Sequence, residues 1–214
     1  MNRTTTPLFL TLGTLAGIMG IEHGIGEVLQ GYRPTESVLI LSWPNSAFFE
    51  IMSREPAMTV IPNYLVTGLF AILFSGAFLF VLLKPGFDNR AVAFLFALVF
   101  LMLLAGGGFG PPILGAIVAL IALKRNSRLK TWRRLPAKYH RVLGAAWPWS
   151  FGLCLIGWLM LFPGAALIAF LTGMHSALLM VIPMLVAFIL IPVTLLSGFS
   201  RDIWRGRSDL PKPA

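Results

Sequence analysis

Residues 7–31 read PLFLTLGTLAGIMGIEHGIGEVLQG. As a helix, this run is long enough to cross the hydrocarbon core of a bilayer, which takes about 20 residues. It nevertheless carries three ionisable side chains, Glu22, His23 and Glu27. Charged groups are costly in lipid, so they usually face protein or a watery cavity. Because these side chains lie on more than one side of the helix, the sequence predicts a central helix that is enclosed by its neighbours.

The same stretch carries a face of small residues. At about 100° per residue, its glycines fall within roughly 60° of one another. They are Gly13, Gly17, Gly20, Gly24 and Gly31. Such a face lets a second helix backbone approach closely. We expect it to serve mainly in packing, and it also offers a contact for a partner membrane protein.

The composition places the whole chain in a membrane. Of its 214 residues, 57% are hydrophobic and 12% are charged, and the mean hydropathy is +0.83. A soluble domain has about 25% charged residues. The sequence therefore predicts an all-α integral membrane protein, with residues 1–214 forming a single domain. Cys154 is the only cysteine, so no disulfide framework is possible within the chain.

The apolar segments predict a bundle of six transmembrane helices. They cover about residues 7–31, 62–83, 91–105, 112–123, 142–162 and 165–199. An outer segment at 32–60 follows the first helix, and a strongly basic loop at 124–141 follows the fourth.

The positive charges predict the orientation of this bundle. If the 124–141 loop is cytoplasmic and the helices alternate, only Arg33 and Arg54 of the 17 Lys and Arg residues lie outside. This distribution follows the positive-inside rule. It places both termini in the cytoplasm and indicates a multi-pass protein of the plasma membrane. It also explains the net charge of +9 without a nucleic-acid partner.

The basic loop itself interleaves cations with aromatic and apolar side chains. The stretch Lys124–Arg141 is expected to lie on anionic lipid head groups, with each cation contributing about 1 kcal/mol. Docking of a cytoplasmic partner on the same loop is the alternative.

Depth in the membrane suggests a binding site. His23 and Glu27 fall in the outer part of the first helix, and His175 lies about ten residues into the sixth, at ~1.5 Å per residue. These three side chains are therefore predicted to share a pocket that binds a ligand or ion, with Glu22 as a second contact. His23, Glu27 and His175 also form a candidate metal-binding set. Paired histidines are in addition the ligands of some haems.

A glycine-rich turn, GGGFGPP at 106–112, joins the two short central helices. These helices reach only about 20 Å, less than the ~30 Å core, so the turn is expected to lie below the outer surface. Irregular backbone at that depth is tolerated when it is buried or lines a cavity. The 32–60 segment is long enough to cover such a cavity.

These features favour three functional hypotheses. The first is binding or transport of a small solute or cation through an outward-facing pocket. The second is a membrane-embedded metal or haem protein, and the third is an accessory subunit of a larger complex. No nucleophile–base arrangement, phosphate loop or H-E-x-x-H motif is present, so no particular enzymatic reaction is predicted. In size, number of spans and long first outer loop, the architecture resembles the substrate-binding membrane subunits of energy-coupling-factor transporters.

Overall fold

A computed structural model describes residues 4–84, 88–125, 132 and 134–208. Helices dominate these residues, and one small antiparallel sheet accompanies them. The chain divides into two compact units. The first unit is Phe9–Leu123, and the second joins Met1–Leu8 to Lys124–Ala214.

The described part of the first unit contains four α-helices and two short strands, with a one-turn 3₁₀ helix (Glu50–Met52) between the strands. In chain order they are α1 (Thr5–Val28, whose first turn belongs to the second unit), β1 (Leu39–Leu41), β2 (Pro56–Met58), α2 (Tyr64–Leu83), α3 (Asn89–Leu104) and α4 (Gly110–Arg125). Side-chain caps define two of the helix starts. The Asn63 side chain accepts a hydrogen bond from the backbone N–H of Val66, and the Asp88 side chain accepts one from Ala91. Each cap satisfies a backbone donor that the first helical turn leaves without an intrahelical partner.

The glycine face of α1 packs directly against α2. A Cβ added to Gly13 would lie 2.6 Å from the nearest atom of Leu82, and one added to Gly24 would lie 2.7 Å from the carbonyl oxygen of Gly68. Gly68 is thus the matching small residue on α2. The face expected to offer a partner contact is therefore occupied by a helix of the same chain. Gly31 lies beyond the end of α1, with no atom within 4 Å of an added Cβ.

The outer segment, residues 32–60, contains a pair of antiparallel strands. β1 and β2 are antiparallel, with Ile40 opposite Ala57 at the centre of the register. Both of these residues are buried together with Tyr64 at the start of α2. This small core packs the strand pair against the start of α2.

The glycine-rich turn continues this pairing. The backbone N–H of Gly106 donates to the carbonyl of Met58 (2.9 Å), and that of Val60 donates to the carbonyl of Leu104 (2.9 Å). Gly106 and Gly108 have φ angles of +84° and +75°, which favour glycine. Gly106, Gly107 and Gly108 are buried, and hydrogen bonds join this part of the turn to the outer segment.

The second unit is built on two long packed helices. Among its described residues, the main helices are α5 (Ala137–Leu159), α6 (Ala165–Thr172) and α7 (Leu178–Ser208). α5 packs along α7 through small and polar residues. The hydroxyls of Ser150 and Ser197 lie 3.1 Å apart, and a Cβ added to Gly157 would lie 3.0 Å from the backbone nitrogen of Ala187.

The predicted sixth helix, 165–199, is broken in the structure. Phe162 has an extended backbone within the turn Met160–Gly164, and α6 follows that turn. Gly173 then takes a left-handed conformation (φ +69°) and ends α6, so that α7 begins only at Leu178. Pro183 and Pro192, the expected sites of kinks, lie inside α7.

In the part of the chain that the structure describes, four helical stretches are long and apolar enough to cross a membrane. They are Thr5–Val28, Tyr64–Leu83, Ala137–Thr172 and Leu178–Gly206. The apolar parts of α3 and α4, Asn89–Leu104 and Gly110–Leu123, are shorter. These features are those of a helical, multi-pass membrane protein.

Candidate cation site

The second half of α1 carries the polar residues into the interior of the first unit. Glu27 is fully buried and His23 is 5% exposed. Glu22, predicted as a second contact, is half-buried. In a helix, residues one position apart point in different directions, so neighbouring elements have to complete any shared site.

The chain after β1 supplies the first of these neighbours. The Ser42 hydroxyl lies 2.9 Å from Nδ1 of His23 and donates a hydrogen bond to Oε1 of Glu27 (3.3 Å). The indole N–H of Trp43 donates to Oε1 of Glu22. Ser42 and Trp43 together thus contact all three ionisable side chains of α1.

A strained turn supplies a third carboxyl group. Ser53, Arg54 and Glu55 have φ angles of +54°, +59° and +54°. None of the three is a glycine, and the left-handed conformation costs such residues about 1–2 kcal/mol each. Backbone strain of this kind is often found at functional sites. Here it turns the Glu55 side chain inward, where the residue is only 4% exposed.

Glu55 lies beside both His23 and Glu22. Its Oε2 is 3.4 Å from Nε2 of His23. Burial, and then a hydrogen bond with the Glu22 carboxyl, raise the pKa of Glu55 to about 10. Two carboxyl groups in such close contact cannot both ionise cheaply, so they share a proton. The ligand atoms of Glu22, His23 and Glu55 all lie within 4.8 Å of one another.

The glycine-rich turn closes the site from the side of α3 and α4. A Cβ added to Gly106 would collide with the carboxylate of Glu27, and one added to Gly108 would collide with the imidazole of His23. The turn therefore approaches these side chains more closely than any residue with a Cβ would allow. This contact is a specific reason for glycine at both positions.

Some of the buried carboxyl oxygens accept no hydrogen bond. Among the described residues, the Oε2 atoms of Glu22, Glu27 and Glu55 are buried and accept no hydrogen bond. Such atoms are costly unless a proton, water or cation satisfies them. The two carboxyl groups of Glu22 and Glu55 and the imidazole of His23 thus offer two oxygen ligands and one nitrogen ligand.

An open pocket of about 300 Å³ lies next to this cluster. Its lining includes Gly26, Gln30 and Pro44, and it shares Ser42 and Trp43 with the cluster. Trp43 stacks on Phe49, with ring centroids 4.9 Å apart. Ser42 and Trp43 therefore stand between the open pocket and the buried carboxyl groups.

The structure brings together three of the four site residues predicted from the sequence. Glu22 and His23 belong to the cluster, Glu27 lies next to it through Ser42, and the binding role of all three stays a prediction. His175 lies in the second unit, exposed in the link between α6 and α7 rather than inside a helix. A metal site formed by His175 with His23 and Glu27 stays a prediction. The ligand atoms that converge in the first unit belong to Glu22, His23 and Glu55.

Sequence reasoning missed Ser42, Trp43 and Glu55. All three lie in the outer segment, where no helical or strand periodicity indicates the direction of a side chain. Glu55 precedes Pro56 and follows Arg54, so it reads as an ordinary surface carboxylate. The only available signal was the length of the segment, which predicted a cover but not its contacts.

Comparisons with protein-family models, with curated proteins and with solved structures give no match to this chain. The architectural resemblance to energy-coupling-factor subunits therefore gains no support from a solved structure. The function has to be argued from the site itself.

Proposed function

We propose that this protein binds a divalent cation between Glu22, His23 and Glu55, as the binding step of small-cation transport across the membrane. The observation that carries the proposal is the convergence of these three ligand atoms within 4.8 Å of one another. One nitrogen and two carboxylate oxygens suit first-row transition ions such as Zn²⁺, with bonds of about 2.0–2.2 Å. A small contraction of the cluster brings all three onto one ion.

Charge balance supports a dication rather than a neutral solute. Two ionised carboxylates are unstable in a buried site unless their charge is compensated. Without a cation, the proton shared by Glu22 and Glu55 supplies part of that compensation. With a divalent cation bound, both carboxylates can ionise and the site becomes neutral. Cation binding therefore releases protons, which couples affinity to pH.

The surroundings of the site support a route to the outer solution. The open pocket of about 300 Å³ adjoins the cluster through Ser42 and Trp43. Movement of the Trp43 side chain away from Glu22 would connect the open pocket with the cluster. Glu27, hydrogen-bonded through Ser42, lies next to the cluster and offers a further carboxylate for an ion on its way inward.

The metal hypothesis does not require haem. His23 is the only histidine in Phe9–Leu123, since the other two are His140 and His175. Bis-histidine ligation of haem at this site would therefore need a histidine from the second unit. The set of Glu22, His23 and Glu55 needs none.

The membrane arrangement that we propose has six spans, with both termini in the cytoplasm of a plasma-membrane protein. α3 and α4 have 16 residues each, which gives them about 24 Å. They form a short pair whose connecting turn is buried below the outer surface, against the site. The distribution of Lys and Arg supports this orientation, although Arg3, Lys212 and part of the 124–141 loop lie outside the described residues.

Titration calorimetry with ZnCl₂ on the detergent-solubilised protein tests the site. We expect one Zn²⁺ per chain, with proton release that differs between buffers of different ionisation enthalpy. Glu55→Gln and His23→Asn should each weaken binding by ~100-fold or more, since even the loss of an outer-sphere partner costs 10–100-fold. Glu50→Gln is the matched control, because Glu50 is an exposed carboxylate in the same outer segment. Equal affinity in Glu55→Gln and Glu50→Gln would overturn the proposed site.

Reporter fusions test the topology. Fusions after residue 135 and after residue 206 should behave as cytoplasmic, and insertions near Asn45 and Gly108 as external. An external signal at residue 135 would reverse the orientation, because most of the basic residues are assigned from that loop.

A further inference from the structure

A second polar site lies at the end of the α5–α7 pair, far along the chain from the carboxyl cluster. Arg141 and Gly144 on α5, together with Arg201, Trp204 and Arg205 on α7, line a notch of about 390 Å³. Three arginines thus line one small volume. Like charges gather in this way at a cost unless an anion compensates them.

Close helix packing produces the notch. A Cβ added to Gly144 would lie 2.9 Å from the Cα of Arg201, so the two backbones touch at this level. Arg201 is also held over the ring of Trp147, with its guanidinium carbon 5.2 Å from the ring centroid. A cation on an aromatic face is restrained in direction, which reduces the entropy lost on binding an anion.

The nearest carboxylate in the sequence does not neutralise these arginines. Asp202 accepts hydrogen bonds from the backbone N–H of Thr4 (3.0 Å) and from its hydroxyl (2.5 Å). Among the residues that the structure describes, no carboxylate forms an ion pair with Arg141, Arg201 or Arg205. The positive charge of the notch is therefore uncompensated by the described part of the chain.

We propose that this notch binds the phosphate group of an anionic phospholipid. Guanidinium groups match phosphate oxygens through paired hydrogen bonds, and several together favour phosphate over a lone carboxylate. The notch lies where an apolar helix pair becomes basic, and Trp147 and Trp204 are of the kind that marks the membrane–water interface. A lipid anchored there places its acyl chains along the exposed apolar surface of α7, which a soluble phosphate cannot do.

The test is native mass spectrometry of the detergent-solubilised protein titrated with phosphatidylglycerol. The double variant Arg141→Gln/Arg205→Gln removes two cations from the notch. The double variant Arg134→Gln/Lys138→Gln is its control, because it removes two exposed cations from the neighbouring basic stretch without touching the notch. A hydrogen bond to a charged group contributes about 1.5 kcal/mol or more, roughly tenfold in affinity, so the loss of two guanidinium–phosphate contacts should weaken binding of the first lipid ~100-fold. The control should change affinity by less than about threefold.

Two further measurements keep the outcome clear. Arg141→Lys/Arg205→Lys keeps the charge and loses the paired geometry, so it should bind with intermediate affinity and guards against misfolding of the glutamine variant. Competition with millimolar inorganic phosphate separates the two sources of phosphate. Equal weakening in the notch and control variants would overturn the proposal, since it would indicate diffuse attraction only. Complete displacement of the first lipid by inorganic phosphate would overturn it in favour of a soluble ligand.

Discussion

Replacing Glu55 by glutamine tests the buried carboxyl pair through the pH dependence of stability. Glutamine keeps the shape of a protonated carboxyl group and can still donate to Glu22, but it does not titrate. The pKa of Glu55 is raised from 4.5 to about 10, chiefly by burial. The folded protein therefore holds a proton that the unfolded chain releases near pH 4.5. The stabilisation is fully present below that pH and is lost progressively as the pH rises toward 10.

The size of the effect follows from the proton count. One bound proton changes the free energy of unfolding by about 1.4 kcal/mol per pH unit. Between pH 6 and pH 8, Glu55 should therefore contribute a loss of about 2.7 kcal/mol. For a chain of 150–250 residues, 1 kcal/mol shifts Tm by about 2–4 °C. The wild-type Tm should thus fall by ~5–11 °C more than that of Glu55→Gln over this interval.

Thermal unfolding in detergent, followed by tryptophan fluorescence at pH 6, 7 and 8, measures this difference. Glu22, His23 and Glu27 are present in both proteins, so the difference in slope isolates Glu55 and its coupling to them. Glu50→Gln serves as the control for removal of an exposed carboxylate and should keep the wild-type slope. If Tm changes with pH equally in the wild type and in Glu55→Gln, Glu55 is ionised in the folded protein. The hypothesis of a proton shared by Glu22 and Glu55 would then be wrong.

Two further predictions concern glycines and can be checked in the same unfolding assay. Gly24→Ala should destabilise the protein by about 1–3 kcal/mol, since the added Cβ would lie 2.7 Å from a backbone carbonyl oxygen of α2. Gly76→Ala is the control: its Cβ would enter open space, so this variant should be as stable as the wild type or more stable. If the two variants have equal Tm values, the packing of α1 on α2 is not as close as described. Gly108→Ala should weaken Zn²⁺ binding in calorimetry, because both the φ of +75° at Gly108 and its contact with His23 oppose an added Cβ. Gly110→Ala is the control and should bind Zn²⁺ normally, since a Cβ at Gly110 would lie 3.7 Å from its nearest atom. Unchanged binding in Gly108→Ala would show that the turn does not constrain the imidazole.

The sequence alone identified a membrane protein and the polar residues that α1 contributes to the site. Hydropathy depends on composition and length, so the membrane character of the chain and most helix positions could be read without a structure. The polar residues of α1 stood out because charged groups in an apolar helix have to be compensated by something near them. The glycine face predicted close packing for a similar local reason, and α2 provides that packing through Gly68.

Tertiary structure alone decided the composition of the site. Glu55 reaches Glu22 and His23 only because a left-handed turn at residues 53–55 and the pairing of β1 with β2 bring the outer segment back over α1. Such contacts join residues more than 30 positions apart and leave no periodic trace in the sequence. The sequence analysis also missed the break before α7, because the short polar stretch TGMHSA at 172–177 lies between two apolar runs and a single left-handed residue, Gly173, ends α6. Local chemistry thus indicates which residues need partners, and long-range backbone geometry determines which partners they find.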